Sequence, residues 1–404
     1  MDIKNCEDEK IHHIESVQSF GYLLAISPDN EKITVMSENV SDIFATPITP
    51  NETYLSDLVE IPETSLEHIN ALYSKIKETG GRHSYEWKFK NEIYHEGDWH
   101  QLVNSVIYAS GSYLIIELEP SPILSGSCSA KWTPSDTDIS PLLPSIFDLT
   151  TMESVADKIA SAIRSFIDFD RVVVYRFDEK FDGEVIGEDC HPEMVPFKGL
   201  KFPSTDIPAQ ARALYVQNRV RCIYDVDEPT IPLTPSIVGS GRNPLDLSMS
   251  MVRGVSPIHL QYLKNMGVRA SFSMSLIFEN KLWGMVACHN RAPKYVEQRS
   301  RLICESLSQV FTWQLHGKDI EIQRESFQKR QRDLNNIISF VTNEANPLEA
   351  VNVRQDSLLA IMRSCGVALV TPNSHYLIGS WVFAQLSLLN WENTQFRNRF
   401  SSVS

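Results

Sequence analysis

Residues 201–215 read KFPSTDIPAQARALY, and the placement of the whole chain turns on this stretch. Phe202 and Pro203 lead in as extended chain. Thr205 and Asp206 are residue types that cap helices, and Pro208 brings the fixed φ that suits a first helical turn, so a helix is expected to begin here. Taken alone, Asp206 is a helix cap and nothing more. Two later stretches give it company: 253–273, RGVSPIHLQYLKNMGVRASFS, and 283–289, WGMVACH.

Around that stretch the pattern is regular. Residues 152–167 set Val155, Ile159, Ile163 and Phe166 close to the helical period. Residues 171–177, RVVVYRF, read as a strand, followed by a turn at Asp182 and Gly183 and a second strand over 184–187. The segment 221–247 is rich in Pro, Gly and Asp with little periodicity and reads as a long loop, a feature that in a compact domain usually carries function. Residues 270–278 and 282–289 make a hairpin across Glu279, Asn280 and Lys281. Nearer the start, 1–20 looks irregular, 21–27 and 32–36 form a hairpin about Pro28, Asp29 and Asn30, and short helices are expected over 40–44 and 65–77. Strands are expected next over 85–90, 100–108 and 112–119, and the Ser- and Pro-rich 120–144 reads as a linker.

The three stretches together resemble the chromophore pocket of the bacteriophytochromes, red-light sensors that hold a linear tetrapyrrole, or bilin. The elements before 120 resemble a PAS domain and those after 144 a GAF domain. The fold class this implies is α+β, with antiparallel sheets and flanking helices. A PAS domain with an N-terminal anchoring segment is expected over 1–120, a linker over 121–144 and a chromophore-binding GAF domain over 145–316.

In such relatives the pyrrole N–H groups are accepted by the backbone carbonyl of the Asp in Asp-Ile-Pro, which implies Asp206, with Ile207 and Pro208 completing the motif. The Asp206 carboxylate stays free to pair with a cation or with Tyr262 near a protonated tetrapyrrole. A lone histidine at 259 or 289 is in most proteins a satisfied core residue. Within the resemblance His259 sits beside the ring nitrogens and exchanges protons, a task suited to its pKa, and His289 bonds the carbonyl of the terminal D ring. Arg221 and Arg253 match positions that bind a propionate. Ser271 and Ser273 alternate along a strand, share a face and can donate to the second propionate. Tyr175, Phe202, Tyr215 and Tyr262 are implied as the lining around the D ring. Otherwise the arginines sit on a solvated face and the aromatics belong to a core.

The thiol selects the bilin. Seven cysteines (Cys6, Cys128, Cys190, Cys222, Cys288, Cys304, Cys365) are scattered without zinc or redox spacing, so reduced thiols are expected. Plant and cyanobacterial relatives attach a reduced bilin through a Cys just before the pocket His, where this chain has Ile258. Bacterial relatives attach biliverdin through an N-terminal Cys a few residues before an Ile-His, and Cys6 precedes Ile11-His12 with that spacing. A thioether between Cys6 and biliverdin is therefore implied. The family's Ile-His-Ile-Pro-Gly and Gln-Pro-His-Gly are here Ile11-His12-His13-Ile14-Glu15 and Gln18-Ser19-Phe20-Gly21. In relatives this segment threads a loop of the GAF domain to make a figure-of-eight knot, a rarity among folds.

From 297 onward Leu302, Ile303, Leu307, Val310, Phe311 and Leu315 recur at helical spacing, and Ile320, Ile322, Phe327, Leu334, Ile337 and Ile338 continue less regularly. This predicts a long C-terminal amphipathic helix with Gly317 as a candidate interruption. It serves either as a core-facing helix or as a homodimer contact. Residues 346–404 resemble only the opening of the third, phytochrome-specific domain, without its extended hairpin or Pro-Arg-x-Ser-Phe motif. A helical linker and an incomplete third domain are expected over 317–404.

A formal charge of −14 and a pI near 5.3 speak against a nucleic-acid partner. Apolar runs such as 113–118 are too short to span a bilayer and the first ten residues hold no apolar signal region, so a soluble, cytoplasmic protein is expected. With neither a Gly-Gly-Asp-Glu-Phe-like stretch nor a nucleotide-binding glycine-rich motif in the 404 residues, no enzymatic turnover is expected, and the output partner is not readable. The competing reading is a GAF-type sensor of another small ligand, such as a cyclic nucleotide, without photochemistry.

Overall fold

The computed structural model describes residues 9–44, 46–60, 65–90, 93–95, 98–100, 103–120, 142–235, 244–343, 353–362, 364, 366–371 and 374–379. The chain divides into two units at Lys318 and Asp319. The first opens with β1 (Ser16–Val17), β2 (Tyr22–Ile26), β3 (Ile33–Ser37), α1 (Val40–Ile43), α2 (Leu55–Leu58) and α3 (Ser65–Thr79). Then come β4 (His83–Ser84), β5 (Ile93–His95), β6 (Asp98–His100), β7 (Val103–Ser110) and β8 (Tyr113–Pro120). The strand period of two sorts this sheet's core. Leu24, Ile26, Ile116 and Leu118 pack under Ile43, Leu55, Leu58 and Ile69 of the helices. Leu23, Ala25 and Ile115 face the other way, onto Leu233, Leu245, Leu247 and Val252 from far along the chain. The strand expected over 85–90 is not formed. Pairing to β7 stops at Ser84, and beyond it isolated hydrogen bonds such as Tyr85 N to Ser105 O (3.1 Å) hold the chain.

Next come α4 (Leu142–Phe147), α5 (Met152–Ile167), β9 (Arg171–Phe177), β10 (Gly183–Cys190), β11 (Lys201–Phe202), α6 (Ala209–Gln217), β12 (Val220–Ile223), β13 (Ile231–Thr234), α7 (Pro257–Asn265), β14 (Ala270–Phe278), β15 (Lys281–Asn290) and α8 (Gln298–Asn343). Thr151 caps α5, its side chain accepting from Ser154 N, and Asp168 ends it in the left-handed region at φ 54°. The second sheet runs β11-β10-β9-β15-β14-β12, all antiparallel. One face buries Val172, Val174, Phe272, Met274 and Val286 against Val155, Ile159 and Ile163 of α5 and Leu307, Phe311 and Leu315 of α8. The intervening residues of the same strands, Val173, Tyr175 and Met285, face the opposite side with Phe202, Ile207 and Tyr215.

Two expectations are corrected. The span 221–247 is not a plain loop: it contains most of β12 and all of β13. Strand β13 lies in the first sheet, between β1 and β3. The N-terminal segment is laced between the limbs around it: Leu233 N donates to Glu15 O, Leu247 N to His12 O, Gly254 N to Ser16 O and Gln18 N to Val252 O. The tip of the loop, 236–243, lies outside the described residues. Nor does Gly317 interrupt α8. A lone helical glycine costs about 1 kcal/mol, less than the adjoining burial of Phe311 and Leu315 contributes.

The two domains of the first unit are locked by a charge. Arg301 of α8 pairs with Glu119 of β8 at 2.5 Å, almost free of solvent, and the Tyr295 hydroxyl donates to the same carboxylate at 2.6 Å. The second unit holds the far part of α8, α9 (Gln355–Met362) and a hairpin of β16 (Gly366–Thr371) and β17 (Ser374–Gly379). Among the described residues no helix is long and apolar enough to cross a membrane, and no cluster of His, Cys, Asp or Glu could hold a metal ion.

Candidate ligand-binding site

The face of the second sheet left uncovered by α5 and α8 forms the floor of a cavity of about 340 Å³, with α6, α7 and the N-terminal segment as its walls. That volume is in the range of small-molecule sites. Tyr175, Phe202, Asp206, Ile207, Pro208, Tyr215, Arg221, Arg253, His259, Tyr262, Ser271, Ser273 and His289 all line it. Cys6 lies outside the described residues, while Glu9 and Ile11, three and five positions later, line the same cavity.

The residues come together for local reasons. The helix foreseen after Pro208 is α6, but Thr205 and Asp206 do not cap it. Pro208 is the N-cap, without a side-chain bond, and Asp206 ends a separate single turn of 3₁₀ helix over Ser204–Asp206. The side chain of Asp206 is thereby released, and it accepts a hydrogen bond from Tyr262. Burial raises the Asp206 carboxyl above its ordinary range, and Tyr262 opposes that shift. Arg212, one helical turn on, closes the motif from behind by donating to Ser204 O (3.1 Å) and Ile207 O (2.5 Å).

Two guanidiniums project into the cavity. Arg221 Nη2 donates to Arg253 O (2.7 Å) and Gly254 O (2.8 Å), and Arg253 Nη1 to Ile11 O (3.2 Å). Arg221 Nη1 and Arg253 Nε are buried without a partner, and among the described residues neither arginine forms an ion pair. Burial and then Arg253 push Arg221 down to about 9, and burial lowers Arg253. Of the two serines, Ser273 stands opposite Arg221 across β12 and β14 and hydrogen-bonds Tyr215, while Ser271 stands opposite Ile223.

Both histidines are biased towards the neutral form. Burial, then Arg221, pushes His259 down to about 4, and its ring lies parallel to Tyr262 at 6.1 Å between centroids. Burial, then Arg171 and His259, pushes His289 down to about 3. Arg171 had no place in the expected site. It stands opposite His289 across β9 and β15, and its Nε and Nη2 lie 3.3 and 3.1 Å from His289 Nδ1. The period of two that joins Ser271 to Ser273 also puts Arg171 on the face of Tyr175, the signal that would have found it. Gly183 was missed as well. A Cβ there would fall 1.7 Å from the Tyr175 ring, so only glycine lets that ring lie flat on β10. Ser256 donates to Glu9 at 2.5 Å, which pins the N-terminal segment to the cavity mouth.

Comparison with known proteins agrees with this arrangement. A PAS-fold family model matches residues 6–121 and a GAF-domain model residues 151–314. Cyanobacterial phytochrome B of Nostoc sp. is 30% identical over 390 residues, covering 94% of this chain and 49% of that protein. A bacteriophytochrome of Xanthomonas campestris pv. campestris is 29% identical over 318 residues, covering 77% of this chain and 47% of that one. The chain thus spans about half the length of the curated relatives it matches. The crystal structure of the chromophore-binding domain of an unusual bacteriophytochrome from R. palustris superposes with a TM-score of 0.65 at 31% identity, covering 78% of this chain and 99% of that one. A longer structure of that bacteriophytochrome gives 0.71 at 28% identity, covering 95% and 75%. With both domains matched, in the same order and along nearly the whole of that solved domain, the chain belongs to the bacteriophytochrome family.

Proposed function

We propose that this chain is the sensory part of a red/far-red photoreceptor whose cavity holds biliverdin, joined covalently to Cys6. The observation that carries the reading is the pair of buried guanidiniums, Arg221 and Arg253, with unsatisfied N–H groups and, among the described residues, no carboxylate in ion-pair contact with them. Such a site calls for a ligand that brings anionic oxygens on an apolar body, which describes a bilin with its two propionates. When bound, the bilin supplies the light absorption and the double-bond isomerisation between its C and D rings.

The protein's own groups have distinct tasks. Arg221 and Arg253 bind one propionate, and Ser271 and Ser273 face the other. The Asp206 carbonyl accepts the pyrrole N–H groups, and its carboxylate, held by Tyr262, keeps negative charge nearby. His259, neutral beside Arg221, is placed for proton exchange, and His289 donates to the D-ring carbonyl. Tyr175, Phe202, Tyr215 and Tyr262 restrict that ring by packing. Cys6 is three residues before the cavity-lining Glu9, a separation of at most about 10 Å in extended chain, which supports the choice of this thiol as the anchor. There the Cys6 thiol would add across a vinyl group of the bilin, one S–C bond being formed and the thiol proton passing to the neighbouring carbon.

Output runs through α8. In its part beyond Lys318, Ile320, Phe327 and Leu334 are exposed at intervals of seven, the repeat of a coiled-coil seam. This supports a homodimer contact along the helix, from which the signal passes to an output partner. The deciding experiment mixes the protein with biliverdin and records difference spectra after far-red and red irradiation. A far-red band with reversible bleaching is expected; no such band would favour a sensor of another ligand. In a Cys6→Ser variant the zinc-enhanced fluorescence of the adduct on a denaturing gel should vanish, and an adduct that persists would place the anchor elsewhere.

A further inference from the structure

We propose that Arg171 is a positioning residue that sets the tautomer of His289, keeping its proton on Nε2 so that the ring meets a ligand as a hydrogen-bond donor and not as an acceptor. A guanidinium has five N–H groups and no lone pair. With both Nε and Nη2 aimed at Nδ1, that nitrogen presents its lone pair. A neutral imidazole carries one proton, which leaves it on Nε2, the edge turned from Arg171 towards the cavity that His289 lines.

Arg171 has little freedom to do otherwise. Val195 O takes its Nη1 at 3.0 Å, the Phe197 ring lies 3.6 Å from the guanidinium carbon, and the β9–β15 register fixes it opposite His289. The charged and titratable groups that act on His289 are Arg171 from β9 and His259 from α7. Those that act on Arg171 are Glu188 and Cys190 from β10 and Tyr262 from α7. The commoner arrangement puts a carboxylate or carbonyl behind a histidine; it takes the proton on the near nitrogen and leaves the far one an acceptor. A guanidinium in that place reverses the polarity. Resting on the bilin reading of the site, this favours ligands that end in a carbonyl at His289 and disfavours those that end there in an N–H or O–H.

The test uses ¹⁵N-labelled protein with no bilin added, and long-range ¹H–¹⁵N spectra with His289 assigned by its loss in His289→Gln. A lone-pair shift for Nδ1 and an N–H shift for Nε2, unchanged from about pH 5 to 8, are expected. A ring protonated on Nδ1, a tautomer mixture or a charged ring in the wild type overturns the proposal. Arg171→Met should yield mixed tautomers that titrate nearer to the ordinary histidine pKa, whereas Arg171→Lys, whose ammonium has N–H donors and no acceptor, should hold the wild-type form. Wild-type shifts in a folded Arg171→Met also overturn it; should that variant not fold, the wild-type and lysine spectra decide alone. Since no bilin is present, failure of biliverdin to bind would sink the reading of the site without touching this result.

Discussion

Replacing Arg221 by methionine distinguishes a ligand-binding cation from a structural one. In the folded chain burial and Arg253 push its guanidinium down to about 9, which corresponds to about 5 kcal/mol against the charged form. Two bonds to the carbonyls of Arg253 and Gly254, at 2.7 and 2.8 Å, offset this with about 1.5–3 kcal/mol each. The two effects nearly cancel. Methionine, of similar length, should leave the melting temperature of the unliganded protein within about 5 °C of wild type. Loss of a charge-assisted bond to a carboxylate, by contrast, should weaken biliverdin binding by about 10- to 150-fold. Dye-monitored melting without bilin and quenching of intrinsic fluorescence during a biliverdin titration read the two quantities separately. The sign with pH is also fixed. The folded value lies below the unfolded one, so the penalty is fully present below about pH 9 and diminishes as pH rises from there towards the ordinary guanidinium range, a gain the variant lacks. A large fall in melting temperature with unchanged affinity would refute the reasoning, because Arg221 would then be a structural cation.

His259 and His289, pushed down to about 4 and about 3 from 6.5, stay neutral while the unfolded chain takes up protons, so stability should fall as pH drops below 6.5. A His259→Gln/His289→Gln double variant should flatten that slope in melting curves from about pH 7 to 4, and an unaltered slope would assign it to other groups. Gly183→Ala should drive the Tyr175 ring into the cavity, since Phe177 and Phe202 pack beside it, at about 1–3 kcal/mol and with weaker biliverdin binding. Adding Tyr175→Ala should cost less than the sum of the two; strict additivity would show that the ring and the glycine do not interact. Glu119→Ala leaves Arg301 buried and unpaired, which should cost about 3–5 kcal/mol, a drop of roughly 5–7 °C if residues 1–318 melt together. An unchanged melting temperature would mean that water reaches Arg301 in the variant.

Local pattern makes α5, β9 and β14 legible to the residue, because each has a strong period and clear turns at its ends. Strand β13 is not, since Pro232 interrupts its four residues and its partners lie about 200 positions upstream. The thirteen cavity residues are found through motif resemblance rather than spacing. Arg171 escapes because an arginine at a strand's first residue looks solvent-facing, and the histidine that occupies it is 118 positions away. Asp206 reads as a cap because its residue type suits one; the intervening 3₁₀ turn, set by Pro203 and Pro208, has no comparable pattern.

The insertion of β13 between β1 and β3 has a consequence for how the gene can be cut. A break anywhere in the linker yields a front half whose β3 edge is bare and whose first twenty residues have lost Leu233, Leu247 and Val252 as backbone partners. The ribosome meets the same difficulty, delivering β3 nearly two hundred residues ahead of the strand that completes its sheet. PAS and GAF are therefore two names for one act of assembly, and any chimera that exchanges one must carry the crossing segment of the other.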